Sequence, residues 1–514
     1  MGNDRHYSAA SIRSAAAHFV VGKAVAAGLG VAWLIVLLRY MALPDYAAYV
    51  VLLAVFEIAN AFSGFGIPEV VQRFLPEARV RGNSREFETL LFKTLQFRML
   101  SVALTSGVLL LAFDAIAGLA GLSPPAGLAP LFAGFFAAES LLRYFNDHLL
   151  GALLAQKTAQ RIQIAKNSAR LLAVLVVLGL SSALTLATAF YLELGSAMCA
   201  LVFAFPAAKQ LRAGGRQQQS AAGAPLLEWR RMFRFGIFSY LTICLYQIYG
   251  LDTLKLVVSR LLGAAETASY GMAAAVSETV RRYLPLFLFH GVIRPSLVAR
   301  FAENGSYEQQ NHLCNLVFKI NLVFLAPVVA FMAVSGDVFG AWVSGGKYPA
   351  AGVLLTLMTA LVASQALRLV FAMLSSVYTF PATNLWATVA SMLALPTSIL
   401  LGREYGSIGV LGGTLSGDLI WIGVVFVRLR IAGRPYVPEG RGIGKLIVAA
   451  VVGWGLASAL APYTENLFGI ALAGLVVTGG FVGAAFLLMP FSKSDRETMA
   501  KLIPESLRFG TRGK

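Results

Sequence analysis

Residues 37–83 read LLRYMALPDYAAYVVLLAVFEIANAFSGFGIPEVVQRFLPEARVRGN. Between about 46 and 67 the stretch is apolar apart from Glu57, Asn60 and Ser63. At about 1.5 Å of rise per residue, a helix of this length crosses a hydrocarbon layer about 30 Å thick. A strand is excluded, because the run is too long and does not alternate, and a sheet in lipid must close into a barrel. Arg39 flanks one end, and Arg73, Arg79 and Arg81 follow the other. The stretch reads as a membrane-crossing helix whose strongly basic flank lies on one side.

The rest of the chain repeats this logic. Of 514 residues, 58% are hydrophobic and 13% charged, against about 45–50% and about 25% in a soluble domain. This composition excludes a soluble enzyme. A window of about 19 residues finds fourteen apolar runs, with cores near 16–38, 46–67, 95–119, 128–152, 169–181, 184–206, 235–257, 268–292, 316–334, 351–377, 385–401, 409–427, 443–461 and 468–489. The expected fold is all-α and polytopic, with about 14 transmembrane helices.

The net charge of +17 would suit either nucleic acid or the anionic inner face of a membrane. Assigning loops alternately to two sides puts 31 of the 42 basic residues on one face, among them Lys166, Arg170 and Lys319. The other face takes only Arg39, Arg260, Lys347 and Arg403, and seven basic residues remain inside the runs. By the positive-inside rule both termini are expected in the cytoplasm. Scattered over seven segments without a fold of their own, the charges give no nucleic-acid site.

Cys199, Cys244 and Cys314 form no CxxC pair, the five histidines have no metal-binding spacing, and GAWVSGGKY lacks the spacing of a phosphate loop. No metal or cofactor is expected. The N-terminus has no cleavable leader pattern, so Met1 is expected in the mature chain. Loops on the sparsely charged side are too short for a catalytic domain, which argues against an enzyme. The Gly- and Gln-rich segment 207–234 is expected to link an N-lobe of helices 1–6 (1–206) to a C-lobe of helices 7–12 (235–430), with helices 13–14 and a tail in 431–514.

The opening stretch also recurs. Setting residue n against n+221 matches Arg39 with Arg260, Asp45 with Glu266, Tyr49 with Tyr270, Glu57 with Glu278, Arg73 with Arg294, Arg79 with Arg300 and Asn83 with Asn304. From 39 to 84 there are 11 identities in 46 positions. Alanines match cheaply in such a chain, but charged residues are scarce. Six helices separate the copies, so the halves share one orientation and relate by an axis along the membrane normal.

The same stretch resembles the opening of the Wzx-like polysaccharide transporters, in the multidrug/oligosaccharidyl-lipid/polysaccharide exporter superfamily. So does RFGIFSYLTICLYQIYGLDTLKLVVSRLLGAAETASYG, where Asp252 stands in the family's "LD..LLGR.LG" position; VFGAWVSGGKYPAAGVLLTLMTAL and REYGSIGVLGGTLSGDLIW resemble later helices. The sequence departs from the pattern at Gly64, where the family usually has an acidic residue; Glu57 is the available substitute. The resemblance implies a flippase of the bacterial cytoplasmic membrane that moves a polyprenyl-diphosphate-linked sugar unit outward before polymerisation. Two lobes would give alternating access, driven by an ion gradient. The implied partners are that lipid-linked glycan, membrane lipids, and polysaccharide polymerase and assembly proteins.

Charges inside the runs are the candidate site, since each costs about 2.5–3.5 kcal/mol to insert at mid-membrane. Glu139, Arg143 and Asp147 are spaced i, i+4, i+8 along one helical stripe, either neutralising one another or presenting Arg143 to a diphosphate. Glu278 with Arg281 and Arg282 leaves one arginine without a partner in its helix, making this pair the leading headgroup candidate. The competing reading pairs that arginine with Glu57 or Glu193, or lets it snorkel. Arg368 and Lys23 are weaker binding candidates; Lys23 and Arg98 lie near helix ends, where snorkelling is expected. For ion coupling or charge pairing the candidates are Glu57, Glu139, Asp147, Asp252 and Glu278, with Asp252 and Lys255 spaced as a structural pair. A cation-coupled multidrug exporter is the alternative function, and a membrane-embedded glycosyltransferase or polymerase a third.

Overall fold

The computed structural model describes residues 9–81, 84–153, 155–181, 183–216, 228–290, 293, 297, 305–348, 351–378, 381–459 and 466–502. It divides into two compact units, Met1–Ala268 and Ser269–Lys514.

The first unit begins with α1 (Ala9–Tyr40) and α2 (Leu43–Phe62). Pro44 and Asp45 occupy the first turn of α2, where a missing N–H and a negative charge are both favourable. The α2 helix stops in a tight turn at residues 63–66, with Phe65 at φ 46° and Gly66 at φ 74°. Glycine is required here twice over, because a Cβ on Gly66 would also overlap the Gly236 carbonyl. The chain continues through α3 (Ile67–Arg81), α4 (Ser84–Leu111) and α5 (Phe113–Leu119) to α6 (Leu128–Arg143), which runs into a π-helical turn, Tyr144–Leu150. After these come α7 (Gln156–Leu180), α8 (Leu186–Arg216), α9 (Trp229–Tyr249) and the first part of α10 (Leu251–Tyr283). The α6, α7 and α8 helices pack together, α4 packs on α6, α1 on α7, and α9 on α3. Residues 207–216 and 229–234 of the expected linker are helical, within α8 and α9, Glu228 is extended, and 217–227 lie outside the described residues.

The second unit continues α10 and adds α11 (Pro285–Leu288), α12 (Tyr307–Ser344), α13 (Gly352–Val377), α14 (Pro381–Ser391) and α15 (Ala394–Ile431). It ends with α16 (Gly440–Ser458), α17 (Leu467–Leu488) and a short helix, α18 (Lys493–Leu502). The α12 helix packs on α13, α16 and α17, and α13 on α15. One core joins them, including Phe318, Val370, Phe371, Trp421, Leu446 and Phe481.

Among the described residues, eleven helical stretches are long and apolar enough to cross a membrane. Two of these, Trp229–Tyr283 and Ala382–Ile431, are 55 and 50 residues long. Each is broken by a left-handed glycine, Gly263 (φ 81°) and Gly406 (φ 60°), and is long enough for two crossings. Together with the helical residues 128–150, these stretches give room for about fourteen crossings. The chain is a multi-pass, all-helical membrane protein.

The n+221 repeat extends to the backbone. The α1 helix ends at Tyr40, and α2 spans Leu43–Phe62; shifted by 221 these positions become 261 and 264–283. In the second copy the break falls at Gly263 and the helix ends at Tyr283. Arg294, Arg300, Asn83 and Asn304 lie outside the described residues.

Several helices begin well before their apolar cores: α4 at Ser84, α7 at Gln156 and α12 at Tyr307. Lys166, Arg170 and Lys319, expected among loop charges, are consequently inside helices and buried. Hydropathy windows miss them because a single charge lowers the average and pushes the apparent boundary past it.

Candidate functional site

In the first unit the intramembrane charges neutralise one another around α6. Arg143 donates to both oxygens of Glu57 on α2, at 2.8 and 3.0 Å, and its Nε donates to Glu139 at 3.0 Å. Lys166 on α7 reaches the other Glu139 oxygen at 2.6 Å. Two acids and two bases form one chain of pairs tying α2, α6 and α7. The Arg143 guanidinium also lies 4.7 Å from the Phe56 ring. Burial is uneven along this chain: Glu139 and Lys166 are enclosed, at 5% and 7%, while Arg143 and Glu57 are 35% and 37% exposed. The open end is the arginine and its α2 glutamate.

The stripe expected through Glu139, Arg143 and Asp147 stops at Arg143. The π-helical turn begins at Tyr144, and its wider spiral takes Asp147 off the i, i+4, i+8 line. Asp147 is exposed and accepts a bond from Asn146 at 3.3 Å. A second network lies deeper: Arg170 donates to Glu193 at 2.7 Å, Tyr49 donates to the same carboxylate at 2.8 Å, and Arg170 stacks over Trp33 at 4.6 Å. Glu57 and Glu193, the alternative partners considered for the α10 arginines, are thus engaged within the first unit by Arg143, and by Arg170 and Tyr49.

Arg98 departs from the snorkelling expectation. It is 2% exposed and donates to Ser63 Oγ at 2.9 Å and Asn60 Oδ1 at 2.5 Å. It borders a cleft of about 130 Å³ at the α2–α3 turn, whose other walls include Glu69, Ser140, Arg143, Tyr144, His148 and Tyr240. His148 is hydrogen-bonded to Gln72 at 2.9 Å. Burial raises the Glu69 carboxyl above its ordinary range, more than the nearby Arg98 lowers it. Asp252 and Lys255 pair at 2.7 Å as their spacing suggests. Lys23 sits in α1, partly buried.

In the second unit, Glu278 receives Arg281 through a two-pronged pair at 2.8 and 2.9 Å. Arg282 reaches the same glutamate only at 3.9 Å and is 60% exposed. Both arginines occupy the last turn of α10, where the helix dipole favours cations. Arg368 on α13 donates to Asp418 on α15 at 3.0 Å, and Ser364 donates to the other carboxylate oxygen at 2.7 Å. Arg368 also lies 5.1 Å from the Trp421 ring.

The Lys319 ammonium, fully buried in α12, meets Glu439 at 2.5 Å and Asp495 on α18. Burial would raise the Asp495 carboxyl, but hydrogen bonds from Lys319 and the Ser492 N–H, with the Lys319 charge, hold it below the ordinary aspartate range. This lysine therefore fastens α18 and the start of α16 to α12. No signal in the hydropathy profile marks it. Among the described residues no group of His, Cys, Asp and Glu could hold a metal ion.

No protein-family model matches the sequence, and no curated protein matches it. Solved structures do. The lipid II flippase MurJ, in an inward closed conformation, is similar at TM-score 0.68 and 12% identity, over 94% of this chain and 99% of its own. The chain shares its fold with this flippase and with transporters that include a member of the MOP superfamily. An inward-facing multidrug resistance MATE transporter of that superfamily matches at TM-score 0.58 and 16% identity, over 79% of this chain and 94% of its own. The MATE multidrug transporter DinF-BH matches at 0.55 and 14%, over 82% of this chain and 96% of its own. Fold alone is what these likenesses establish.

Proposed function

We propose that the chain is a flippase that carries a polyprenyl-diphosphate-linked oligosaccharide across the bacterial cytoplasmic membrane for surface-polysaccharide synthesis. The observation that carries this reading is the pairing at the repeat-related glutamates. Glu57 and Glu278 each hold an arginine, Arg143 and Arg281, whose side chain is 35% and 32% exposed. Arg282 adds a more open guanidinium that shares a glutamate already committed to Arg281. An arginine so placed offers a bidentate, permanently charged fork to diphosphate oxygens, and release is aided by a glutamate waiting to take it back. The MurJ likeness over nearly the whole chain supports a lipid-linked cargo.

In this scheme the N-lobe (1–206) and C-lobe (235–430) alternate in access, both termini are cytoplasmic, and polymerase and assembly proteins take the product on the far side. Arg281 and Arg282 in the second unit and Arg143 in the first are the arginines offered to the diphosphate, with Arg368 and Lys23 as further binding candidates. Glu57, Glu139, Asp147, Asp252 and Glu278 are the acids available for ion coupling. The half-open carboxylates and the MATE likeness favour one second reading, a cation-coupled drug exporter.

Complementation of a bacterium lacking a surface-polysaccharide flippase separates the two readings. Polymer export restored by the wild type and lost with Arg281→Ala or Arg282→Ala supports the flippase. Unchanged export in both variants sinks the site assignment, and drug resistance without polymer export transfers the reading to the exporter.

A further inference from the structure

Arg98 is a buried guanidinium with no carboxylate within ion-pair distance among the described residues. Its NH1 and NH2 groups are taken by Ser63 and Asn60, but Nε, in a residue 2% exposed, has no hydrogen-bond partner. A buried charge normally has a counter-charge, because removing it from water costs several kcal/mol. Two neighbours on the same cleft share the deficit: Ser140 Oγ and the Tyr144 hydroxyl are likewise buried without partners. Unmet donors thus converge from α4 and from α6 with its π-helical turn, and the half-open Arg143 forms part of the wall.

The second unit shows what this position binds when it is satisfied. The n+221 register sets Leu95, Phe97 and Arg98 against Leu316, Phe318 and Lys319. Lys319 is equally buried, but its ammonium is met by two carboxylates, Glu439 and Asp495. Both come from the C-terminal segment, which follows helix 12 and has no counterpart in the first half. The position is therefore a buried cation that takes oxyanions, and among the described residues only the second copy has them supplied by the chain.

We propose that the cleft around Arg98 is an oxyanion site that takes a phosphoryl group from outside the chain, on a phospholipid headgroup or as free phosphate. The donors suit it: the Arg98 Nε–H and two hydroxyls match a group with several acceptor oxygens. A cleft of about 130 Å³ admits a headgroup phosphate rather than a sugar chain. Glu69 on the wall opposes an anion when ionised and becomes a further donor when protonated. The cleft shares Arg143 with the proposed function, but Arg98, Ser140 and Tyr144 have no part in that reading, so the two can fail separately.

Binding by the purified full chain tests this. Inorganic phosphate and pyrophosphate are titrated calorimetrically, and bound phosphatidylglycerol is compared with phosphatidylcholine by native mass spectrometry. The wild type is expected to bind at least one phosphoryl probe. Arg98→Gln should weaken it about tenfold or more, as expected for a charge-assisted bond. Should Arg98→Gln fail to fold, Ser140→Ala with Tyr144→Phe leaves the guanidinium in place and should weaken binding about five- to twentyfold. Glu69→Gln should tighten it. Response to phosphate identifies a site open to free anions, and response to phosphatidylglycerol alone a headgroup site; both uphold the proposal. No binding by any probe, or binding that is the same in the double variant and in Glu69→Gln, overturns it.

Discussion

Lys319 and Asp495 form an ion pair in which neither side chain is exposed to solvent. One lysine on α12 holds the short helix that follows the last membrane crossing, and through Glu439 it holds the start of α16 as well. The two C-terminal crossings are therefore fastened to the second unit by charge as well as by the apolar core at Leu446 and Phe481.

Lys319→Met should be among the most damaging substitutions in the chain. It leaves two acids facing an apolar side chain, and breaking a buried pair in this way costs about 3–5 kcal/mol. Thermal melting of the detergent-solubilised protein reads this directly. A melting temperature within a degree of wild type would mean the pair is not formed.

The same pair carries a pH signature. Asp495 titrates below its ordinary value when folded, and near about 3.9 when unfolded. Its contribution to stability is then complete above the unfolded value and disappears as pH falls through the folded one. Melting curves taken from neutral to acid pH should show a loss of stability below about pH 4 that is smaller in Asp495→Asn. Curves that stay parallel over the whole range would contradict this.

Two glycines make a graded comparison. Gly66→Ala places a side chain at positive φ and against the Gly236 carbonyl, whereas Gly263→Ala meets backbone strain with open space around it. Strain alone costs about 1–3 kcal/mol. Gly66→Ala should therefore lower the melting temperature distinctly more than Gly263→Ala, and the reverse order would show that α9 does not press on the α2–α3 turn.

Arg368 and Asp418 should behave as a unit. Arg368→Leu strands a carboxylate that is 6% exposed and should destabilise strongly. Adding Asp418→Leu should recover much of the loss, because a buried pair contributes little beyond what apolar packing can supply. Additive losses in the double variant would show that the two residues do not pair.

Much of the fold was legible because its determinants are local. Each crossing needs about 20 apolar residues, and the loops carry the charge asymmetry, so helix number and class follow from hydropathy alone. The repeat was legible because matched charges such as Glu57 and Glu278 are rare in this composition. The candidate site was legible only in part. The Glu278–Arg281 and Asp252–Lys255 pairs lie one turn apart, so spacing reveals them. The pairs of Arg143 with Glu57, Arg170 with Glu193 and Lys319 with Asp495 span 86, 23 and 176 residues, and helix packing alone brings them together. Asp147 leaves the i, i+4, i+8 stripe because of a π-helical turn, which the spacing of the residues before it does not reveal.

The most direct test of the proposed function is leaflet transfer in proteoliposomes. Polyprenyl-diphosphate-linked oligosaccharide is loaded in one leaflet and its appearance in the other is followed by an impermeant, sugar-modifying reagent. Wild-type protein should transfer the lipid well above protein-free vesicles, and Arg282→Ala should slow transfer about tenfold, the equivalent of one charge-assisted bond. Transfer at the rate of empty vesicles, in preparations that move cationic drugs across the same membranes, would contradict the flippase assignment.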